Sequence, residues 1–117
     1  MPETVVLVVE DEALLRLMAV TVVEDAGFKP IEACNADQAV RILESRNDIR
    51  IVFTDINMPG SMDGMKLAAC IRDRWPPVEI ILTSGAAKDI KVPERGLFFP
   101  KPYDPQVVSQ AMREMAA

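Results

Sequence analysis

The 117-residue sequence contains no histidine at all. This absence excludes histidine-based catalytic triads, metal sites with histidine ligands and a phosphohistidine on this chain. The chemistry that remains is that of carboxylates, hydroxyls, lysine and a metal bound through oxygen. Cysteine is scarce, since only Cys34 and Cys70 are present, and their spacing matches no short metal-binding or redox motif. We expect both to be unpaired thiols in the core or on the surface.

Positive charge is also in short supply. The chain has 13 Lys and Arg against 18 Asp and Glu, a net charge of −5, and contains no run of basic residues. This balance argues against a nucleic acid or an anionic membrane surface as the main partner. The N-terminal segment lacks the basic stretch of a signal peptide, and its apolar run is interrupted by Glu10 and Asp11. We expect neither a signal peptide nor a membrane span, and a cytoplasmic location.

The residues that are present predict one domain, residues 1–117, of alternating strands and helices. Half of the chain is hydrophobic, which is enough for a core at this length. Strands are predicted at residues 5–9, 29–33, 51–54, 78–82 and 97–99, and helices at 12–26, 36–46, 64–74 and 105–115. Because strands alternate with helices, parallel pairing and right-handed crossovers follow, which predicts a three-layer α/β sandwich.

Polar side chains directly follow four of these strands. They are Glu10 and Asp11, then Asp55, then Thr83 and Ser84, and finally Lys101. Because the carboxyl ends of parallel strands lie at one edge of a sheet, we expect these side chains to meet there. Each has a simpler explanation on its own, since acids and hydroxyls often cap the helix that follows a strand. Their coincidence at four strand ends favours a functional site.

The chemical make-up of this cluster predicts phosphoryl transfer. Three carboxylates close together repel one another unless a cation lies among them, and hard oxygen ligands suit Mg²⁺. A lysine and a hydroxyl on the opposite side would hold a group that is itself negative, as phosphoryl-transfer sites do. A carboxylate can also be the nucleophile and form an aspartyl phosphate. Asp55, at the end of the central strand, is the best candidate for that role.

Four segments carry a resemblance to a known family. They are Leu7-Val8-Val9-Glu10-Asp11-Glu12, Thr54-Asp55-Ile56-Asn57-Met58-Pro59-Gly60, Leu82-Thr83-Ser84-Gly85 and Pro100-Lys101-Pro102-Tyr103. The chain resembles the receiver domain of bacterial two-component response regulators, collinearly and over essentially its whole length. The resemblance implies a flavodoxin-like sheet of strand order 2-1-3-4-5. It also implies a signalling module rather than an enzyme, catalysing only its own phosphorylation and slow self-dephosphorylation.

The resemblance implies a role for each acidic site residue. Asp55 would accept a phosphoryl group from a phosphohistidine on a sensor histidine kinase or a histidine phosphotransfer protein. Mg²⁺ would be held by the carboxylates of Asp11 and Asp55, by the backbone carbonyl of Asn57 and, through a bound water, by Glu10.

The remaining implied roles concern the response to phosphorylation. Thr83 and Lys101 would bind the phosphoryl oxygens once transfer has occurred. Phe98 stands where the family has an aromatic switch residue, which turns inward as the threonine moves toward the phosphate. The bond between Lys101 and Pro102 would be cis. The altered conformation would signal to a downstream protein that the sequence does not identify.

Three single residues depart from the family pattern. Glu10 replaces the commoner first aspartate, and its extra methylene still permits metal binding. Gly85 lies two residues after the threonine, where other members carry a side chain that helps to set the lifetime of the phosphorylated state, so we expect freer access of water. Ser61 is interpreted as a one-residue insertion that leaves the mechanism unchanged.

The largest departure is the segment 86–96, which is shorter than usual in the family. It contains Pro93 and Gly96, both of which are unfavourable inside a helix. We therefore predict that the fourth helix of the family is reduced to a turn or two, or is replaced by a loop.

The first helix carries two apolar stripes. Leu15, Ala19, Val22 and Ala26 form one stripe that suits the sheet, and Leu14, Leu17, Met18 and Thr21 form a second at helical spacing. A small domain cannot cover both, and an exposed apolar patch marks an interaction site. Our hypothesis is that the second stripe docks the helices of the kinase's phosphohistidine domain. The alternative is that Leu17 or Met18 packs on the last helix.

Two other functions compete with a phosphoacceptor module. An aspartate-nucleophile, Mg²⁺-dependent phosphatase would need a second aspartate two residues after the first, where this chain has Asn57. A receiver-like adaptor that is never phosphorylated would tend to lose part of the site, which is complete here. Nucleotide binding is poorly supported, because neither glycine-rich phosphate-binding motif is present.

Overall fold

Strands and helices alternate along the chain, as the sequence predicts. The computed structural model describes residues 3–58, 60, 62–85 and 90–117. Within these residues the elements are β1 Val5–Val9, α1 Ala13–Asp25, β2 Lys29–Ala33, α2 Ala36–Ser45, β3 Ile49–Asp55, α3 Gly64–Arg74, β4 Glu79–Ser84, β5 Gly96–Pro100 and α4 Pro105–Ala116. Every predicted element is present, and its ends lie within two residues of the predicted ones.

The five strands form one parallel sheet of order β2-β1-β3-β4-β5, which confirms the predicted fold. All residues of β1 are buried, as expected for a strand covered on both faces. Alternate residues of β1 point to opposite layers. Leu7 belongs to a core cluster with α2 and α3, whereas Val6 and Val8 belong to a second cluster with α1 and α4. The sheet is therefore the middle layer of a three-layer sandwich.

Several helix boundaries coincide with capping residues that can be recognised in the sequence. Asn35 accepts a hydrogen bond from the Gln38 amide at the start of α2, with a distance of 2.8 Å from N to Oδ1. Asp104 caps α4 by accepting from the Gln106 amide. Gly27 follows α1 with a φ of +92°, a conformation that glycine adopts without strain.

The segment between β4 and β5 confirms the prediction of a shortened or missing fourth helix. Residue 85 and residues 90–95 contain no helical residue, and β5 begins at Gly96. Residues 86–89 and the insertion at Ser61 lie outside the described part of the chain. Both cysteines are free thiols, as expected. Among the described residues, no helix has the length and apolar character needed to cross a bilayer.

Candidate functional site

The fold brings the polar residues that follow the strands to one edge of the sheet. Parallel pairing places the end of β3 beside the end of β4, with Asp55 in register with Thr83. The loop after β5 is fixed to β4 because the Lys101 amide donates to the Ser84 carbonyl at 2.9 Å. The peptide bond between Lys101 and Pro102 is cis, as the resemblance implies.

Lys101 connects two of the three acids. Its ammonium nitrogen Nζ lies 3.1 Å from Asp55 Oδ2 and 3.4 Å from Glu10 Oε1. Both carboxylates are withdrawn from water, since Glu10 is 4% exposed and Asp55 is 9% exposed. One partly exposed ammonium is therefore shared by two buried carboxylates, so the cluster carries surplus negative charge in a medium where charge is costly.

The surplus charge perturbs the titration of the site. Burial, followed by the neighbouring charge of Asp55, raises the pKa of the Glu10 carboxyl from 4.5 to about 7. Burial alone would lower the pKa of the Lys101 ammonium, but its hydrogen bond to Asp55 and the charges of Asp55 and Glu10 outweigh this effect and raise that pKa. The Glu10 carboxyl therefore titrates near neutral pH.

The arrangement of oxygens fits a divalent cation. One oxygen from each of Glu10, Asp11 and Asp55 lies within 4.8 Å of the others. The second carboxylate oxygen of Glu10, Oε2, is buried and has no hydrogen-bond partner within the described residues. A buried carboxylate oxygen without a donor is rare, and a hard cation would satisfy it. The donor set therefore suits Mg²⁺.

The acids do not serve as helix caps. Glu12 occupies the cap position of α1 and its side chain makes no capping hydrogen bond. The cap of α3 is Asp63, which accepts from the Lys66 amide at 2.9 Å. Capping therefore does not explain why Glu10, Asp11 and Asp55 stand at the strand ends.

Asn57 ties the loop after β3 to the acceptor and to the neighbouring strand. Its backbone amide donates to Asp55 Oδ1 at 3.2 Å, and its side-chain amide donates to the Ser84 hydroxyl at 2.7 Å. Asp55 is therefore held at both oxygens, by Asn57 on Oδ1 and by Lys101 on Oδ2.

The two residues expected to respond to phosphorylation lie on neighbouring strands. Thr83 is 3% exposed and stands in register with both Asp55 and Phe99. Phe98 is half-buried and packs against the core cluster of α2 and α3. Gly85 is exposed, so no side chain covers this side of the site at that position.

The second stripe of α1 is exposed, so Leu17 and Met18 are not buried against the last helix. The side chains of Leu14, Leu17 and Met18 are 70%, 60% and 54% exposed. Thr21 is also exposed, and its hydroxyl donates to the Leu17 carbonyl at 3.1 Å. Helix α4 packs beside Val22, one turn after Met18 on α1, where the Ser109 hydroxyl donates to the Val22 carbonyl.

A cavity of about 320 Å³ lies between this stripe and the acidic cluster. Met18 and Leu15 of α1 form one wall, and Tyr103 in the loop after β5 forms another. Asp55 and Lys101 line the same cavity. An apolar surface is thus continuous with the reactive groups.

Sequence reasoning missed two residues that shape the site. A Cβ atom on Gly64, at the start of α3, would clash with the Asp55 carbonyl and would lie 2.6 Å from the Ile56 Cα, so only glycine fits there. Arg16 of α1 donates from Nη1 to the Glu10 carbonyl at 2.9 Å. For Gly64 the only signal in the sequence was a glycine directly after an acid in the loop. For Arg16 the helical periodicity gave no signal.

The comparisons with known proteins agree with this geometry. The chain matches the model of the response regulator receiver domain family over residues 6–113. It is 31% identical over 116 residues to the sensor kinase CckA of Brucella abortus, covering 94% of this chain and 12% of that protein. It is 37% identical over 81 residues to an NtrX-like response regulator of Rickettsia bellii, covering 68% of this chain and 17% of that protein.

A solved structure supports the same conclusion. The response regulator receiver protein of Sinorhizobium medicae is 28% identical and superimposes with a TM-score of 0.85, over 98% of this chain and 96% of that one. The chain spans less than a fifth of the length of the two curated relatives. The similarity therefore concerns the domain and not the whole of those proteins.

Proposed function

The chain belongs to the response regulator receiver domain family, and we propose that it accepts a phosphoryl group on Asp55 in a Mg²⁺-dependent reaction. The observation that carries this proposal is the buried Asp55 carboxylate, which is held by Lys101 and adjoined by two further carboxylates. Receiver domains are signalling modules, and the donor would be a histidine kinase or a histidine phosphotransfer protein. The output would be a conformational change read by a downstream partner.

The acids would divide the work of binding the metal and the phosphoryl group. Asp11 and Asp55 would hold Mg²⁺ through carboxylate oxygens, Asn57 through its backbone carbonyl, and Glu10 through a bound water. When bound, Mg²⁺ would supply positive charge that neutralises the oxygens of the incoming group. The Glu10 carboxyl would have to be ionised to contribute, and its raised pKa of about 7 makes that proton part of the cost of binding the cation.

In the transfer step, one Asp55 oxygen attacks the phosphorus of a phosphohistidine. The bond from oxygen to phosphorus forms while the bond from phosphorus to the imidazole nitrogen breaks, and the donor histidine takes up a proton as it leaves. The Lys101 ammonium stays beside the acceptor and stabilises the charge on the phosphoryl oxygens. Asn57 keeps the carboxylate oriented through its amide hydrogen bond to Oδ1.

After transfer, the new oxygens would recruit Thr83 and Lys101. Thr83 is next to Asp55 across the β3–β4 pair, and its hydroxyl would donate to a phosphoryl oxygen. Phe98 is in register with Leu82, the residue before the threonine, and would turn inward as the threonine moves.

We also propose that the exposed stripe of α1 docks the helices of the donor's phosphohistidine domain. The stripe is apolar and exposed, and the cavity beside it leads to Asp55. Replacing Leu14 and Leu17 with serine should slow transfer from a phosphorylated histidine phosphotransfer protein, while labelling by acetyl phosphate stays unchanged. Val107→Ser is the matched control, because Val107 is an exposed apolar residue on α4. Equal loss with both donors would contradict the docking proposal.

The phosphoacceptor proposal is tested by intact-mass measurement after incubation with acetyl phosphate. With Mg²⁺ present, the protein should gain one phosphoryl group, and EDTA or the substitution Asp55→Asn should abolish the gain. Asp48→Asn is a control, because Asp48 is an exposed aspartate in an ion pair at the other end of the sheet. Labelling that persists in Asp55→Asn would contradict the proposal, and turnover of a phosphate monoester would favour the phosphatase alternative.

A further inference from the structure

Arg16 joins three elements of the fold at the edge of the acidic cluster. The residue lies in the first turns of α1, and its guanidinium donates from Nη1 to the Glu10 carbonyl at 2.9 Å. From Nε it donates to the Glu32 carboxylate of β2 at 3.2 Å. The Arg16 side chain is only 22% exposed, whereas the Glu32 side chain is 56% exposed, so the contact with the Glu10 carbonyl is the more shielded of the two. On this basis we infer that Arg16 is a positioning residue for the proposed metal site.

Glu10 is held in place by three of its polar groups. Its backbone amide donates to the Ala33 carbonyl at 3.1 Å, and its carboxylate contacts Lys101. Arg16 fixes the third polar group, the backbone carbonyl. That carbonyl belongs to the peptide unit that leads into Asp11, so a rotation of this peptide unit, which would move the Asp11 backbone relative to the cluster, requires breaking the Arg16 hydrogen bond.

Such fixation matters because the acids repel one another. Without a restraint, the loop after β1 would relax by moving the Asp11 carboxylate away from Glu10 and Asp55. Mg²⁺ requires near-ideal octahedral geometry and tolerates displaced ligands poorly. Groups that orient metal ligands from behind therefore contribute strongly to metal affinity.

The shape of the arginine side chain is part of the inference. A guanidinium presents Nε and Nη donors in a rigid plane, so it can bridge a carbonyl and a carboxylate at the same time. A lysine at the same position keeps the charge but offers a single nitrogen at the end of a flexible chain. Arg16→Lys therefore separates the bridging geometry from the positive charge.

The charge of Arg16 lowers the affinity for Mg²⁺, whereas its positioning of the Glu10 carbonyl raises that affinity. A cation near the site repels a dication, so the loss of its charge alone would tighten Mg²⁺ binding. The loss of positioning would weaken it. The sign of the change in affinity for Arg16→Gln thus distinguishes the two effects.

The test is calorimetric titration of Mg²⁺ into the unphosphorylated protein, well below its melting temperature. Arg16→Lys and Arg16→Gln should each weaken Mg²⁺ binding by about tenfold. Glu32→Ala, which removes the hydrogen-bond acceptor for Arg16 Nε, should weaken it by about threefold. Labelling by acetyl phosphate should return to the wild-type rate at saturating Mg²⁺. Arg74→Gln is the matched control, because it breaks an arginine ion pair at the opposite edge of the sheet.

Two outcomes overturn the inference. If Mg²⁺ affinity is unchanged or increased in both Arg16 variants while the melting temperature falls, Arg16 only stabilises the fold. If Arg16→Lys binds Mg²⁺ as wild type does, the bridge between the Glu10 carbonyl and the Glu32 carboxylate is irrelevant to the metal site. This inference rests on the proposed function. The Mg²⁺ titration of the wild-type protein distinguishes a failure of the inference from a failure of the proposed function. A wild-type protein that binds no Mg²⁺ would overturn the proposed function, and the positioning role would fall with it.

Discussion

Charged residues are used in opposite ways at the two ends of the parallel strands, which we call the amino edge and the carboxyl edge of the sheet. At the amino edge, Arg46 pairs with Asp48 and Arg74 pairs with Glu44, at 2.7 and 2.8 Å, and the side chains are 33–48% exposed. Each carboxylate there has its own guanidinium and access to water. At the carboxyl edge, by contrast, the buried carboxylates of Glu10 and Asp55 share the single ammonium of Lys101.

This difference shows which charges serve stability and which serve chemistry. A matched, exposed ion pair is nearly neutral in free energy and leaves nothing for a ligand to complete. An unmatched, buried cluster costs free energy and retains an affinity for positive charge. The unmatched carboxylates at the carboxyl edge therefore destabilise the folded protein, as the residues of binding sites commonly do.

The largest effect is expected from removing the ammonium at the carboxyl edge. Lys101→Met leaves Glu10 and Asp55 buried without a counter-charge and should lower the free energy of unfolding by about 3 kcal/mol at pH 8 in EDTA. The value is at the lower end for a broken buried pair because Lys101 is itself 23% exposed. Urea unfolding measures it, and Mg²⁺ should restore part of the loss. A change no larger than that of an exposed pair would contradict the contrast between the edges.

A smaller effect is expected from pH. The pKa of Glu10 is about 7 in the folded protein and 4.5 in the reference state, so the folded state holds this proton more tightly. Between pH 4.5 and 7 the unfolded chain therefore loses the proton first, and the contribution of Glu10 to stability falls as the pH rises. The difference in unfolding free energy between wild type and Glu10→Gln should decline by about 2 kcal/mol across this window.

The pH prediction is checked by urea unfolding of both proteins at several pH values in EDTA. The same series with saturating Mg²⁺ should be flatter, because a bound cation favours the ionised carboxylate. A difference that rises with pH would mean that the Glu10 carboxylate is stabilised rather than strained.

The smallest effect is expected at the amino edge. Glu44→Gln removes the partner of Arg74 but leaves both groups in water, so the urea midpoint and the Mg²⁺ affinity should not change measurably. Thermal and urea unfolding, with a Mg²⁺ titration, check this expectation. A loss comparable to that of Lys101→Met would show that the two edges are not different in kind.

Much of the fold could be predicted from the sequence, because its signals are local. Continuous apolar runs such as residues 5–9 announce buried parallel strands, and Asn35 and Asp104 mark helix starts. The short length of the segment 86–96, together with Pro93 and Gly96, predicted a shortened or missing fourth helix. The meeting of Asp55, Thr83 and Lys101 followed from topology alone, since parallel strands end at one edge.

The rest depends on distances that a sequence does not contain. The contact between Arg16 and the Glu10 carbonyl requires the crossing angle of α1 on the sheet, which no local pattern encodes. The close approach of Gly64 to the end of β3 is set by how the loop returns. Whether Leu17 and Met18 are exposed depended on where α4 crosses α1, so the sequence left two alternatives that the structure separates.

The central claim is that the unmatched cluster at the carboxyl edge directs a phosphoryl group to one carboxylate. Borohydride reduction of the acetyl phosphate-treated protein converts an aspartyl phosphate to homoserine, and peptide mass spectrometry then locates it. We predict homoserine at position 55 in the presence of Mg²⁺ and none in EDTA. Modification of Asp11 or Glu10 instead, phosphate on Thr83 or Ser84, or labelling that is indifferent to Mg²⁺, would contradict the account.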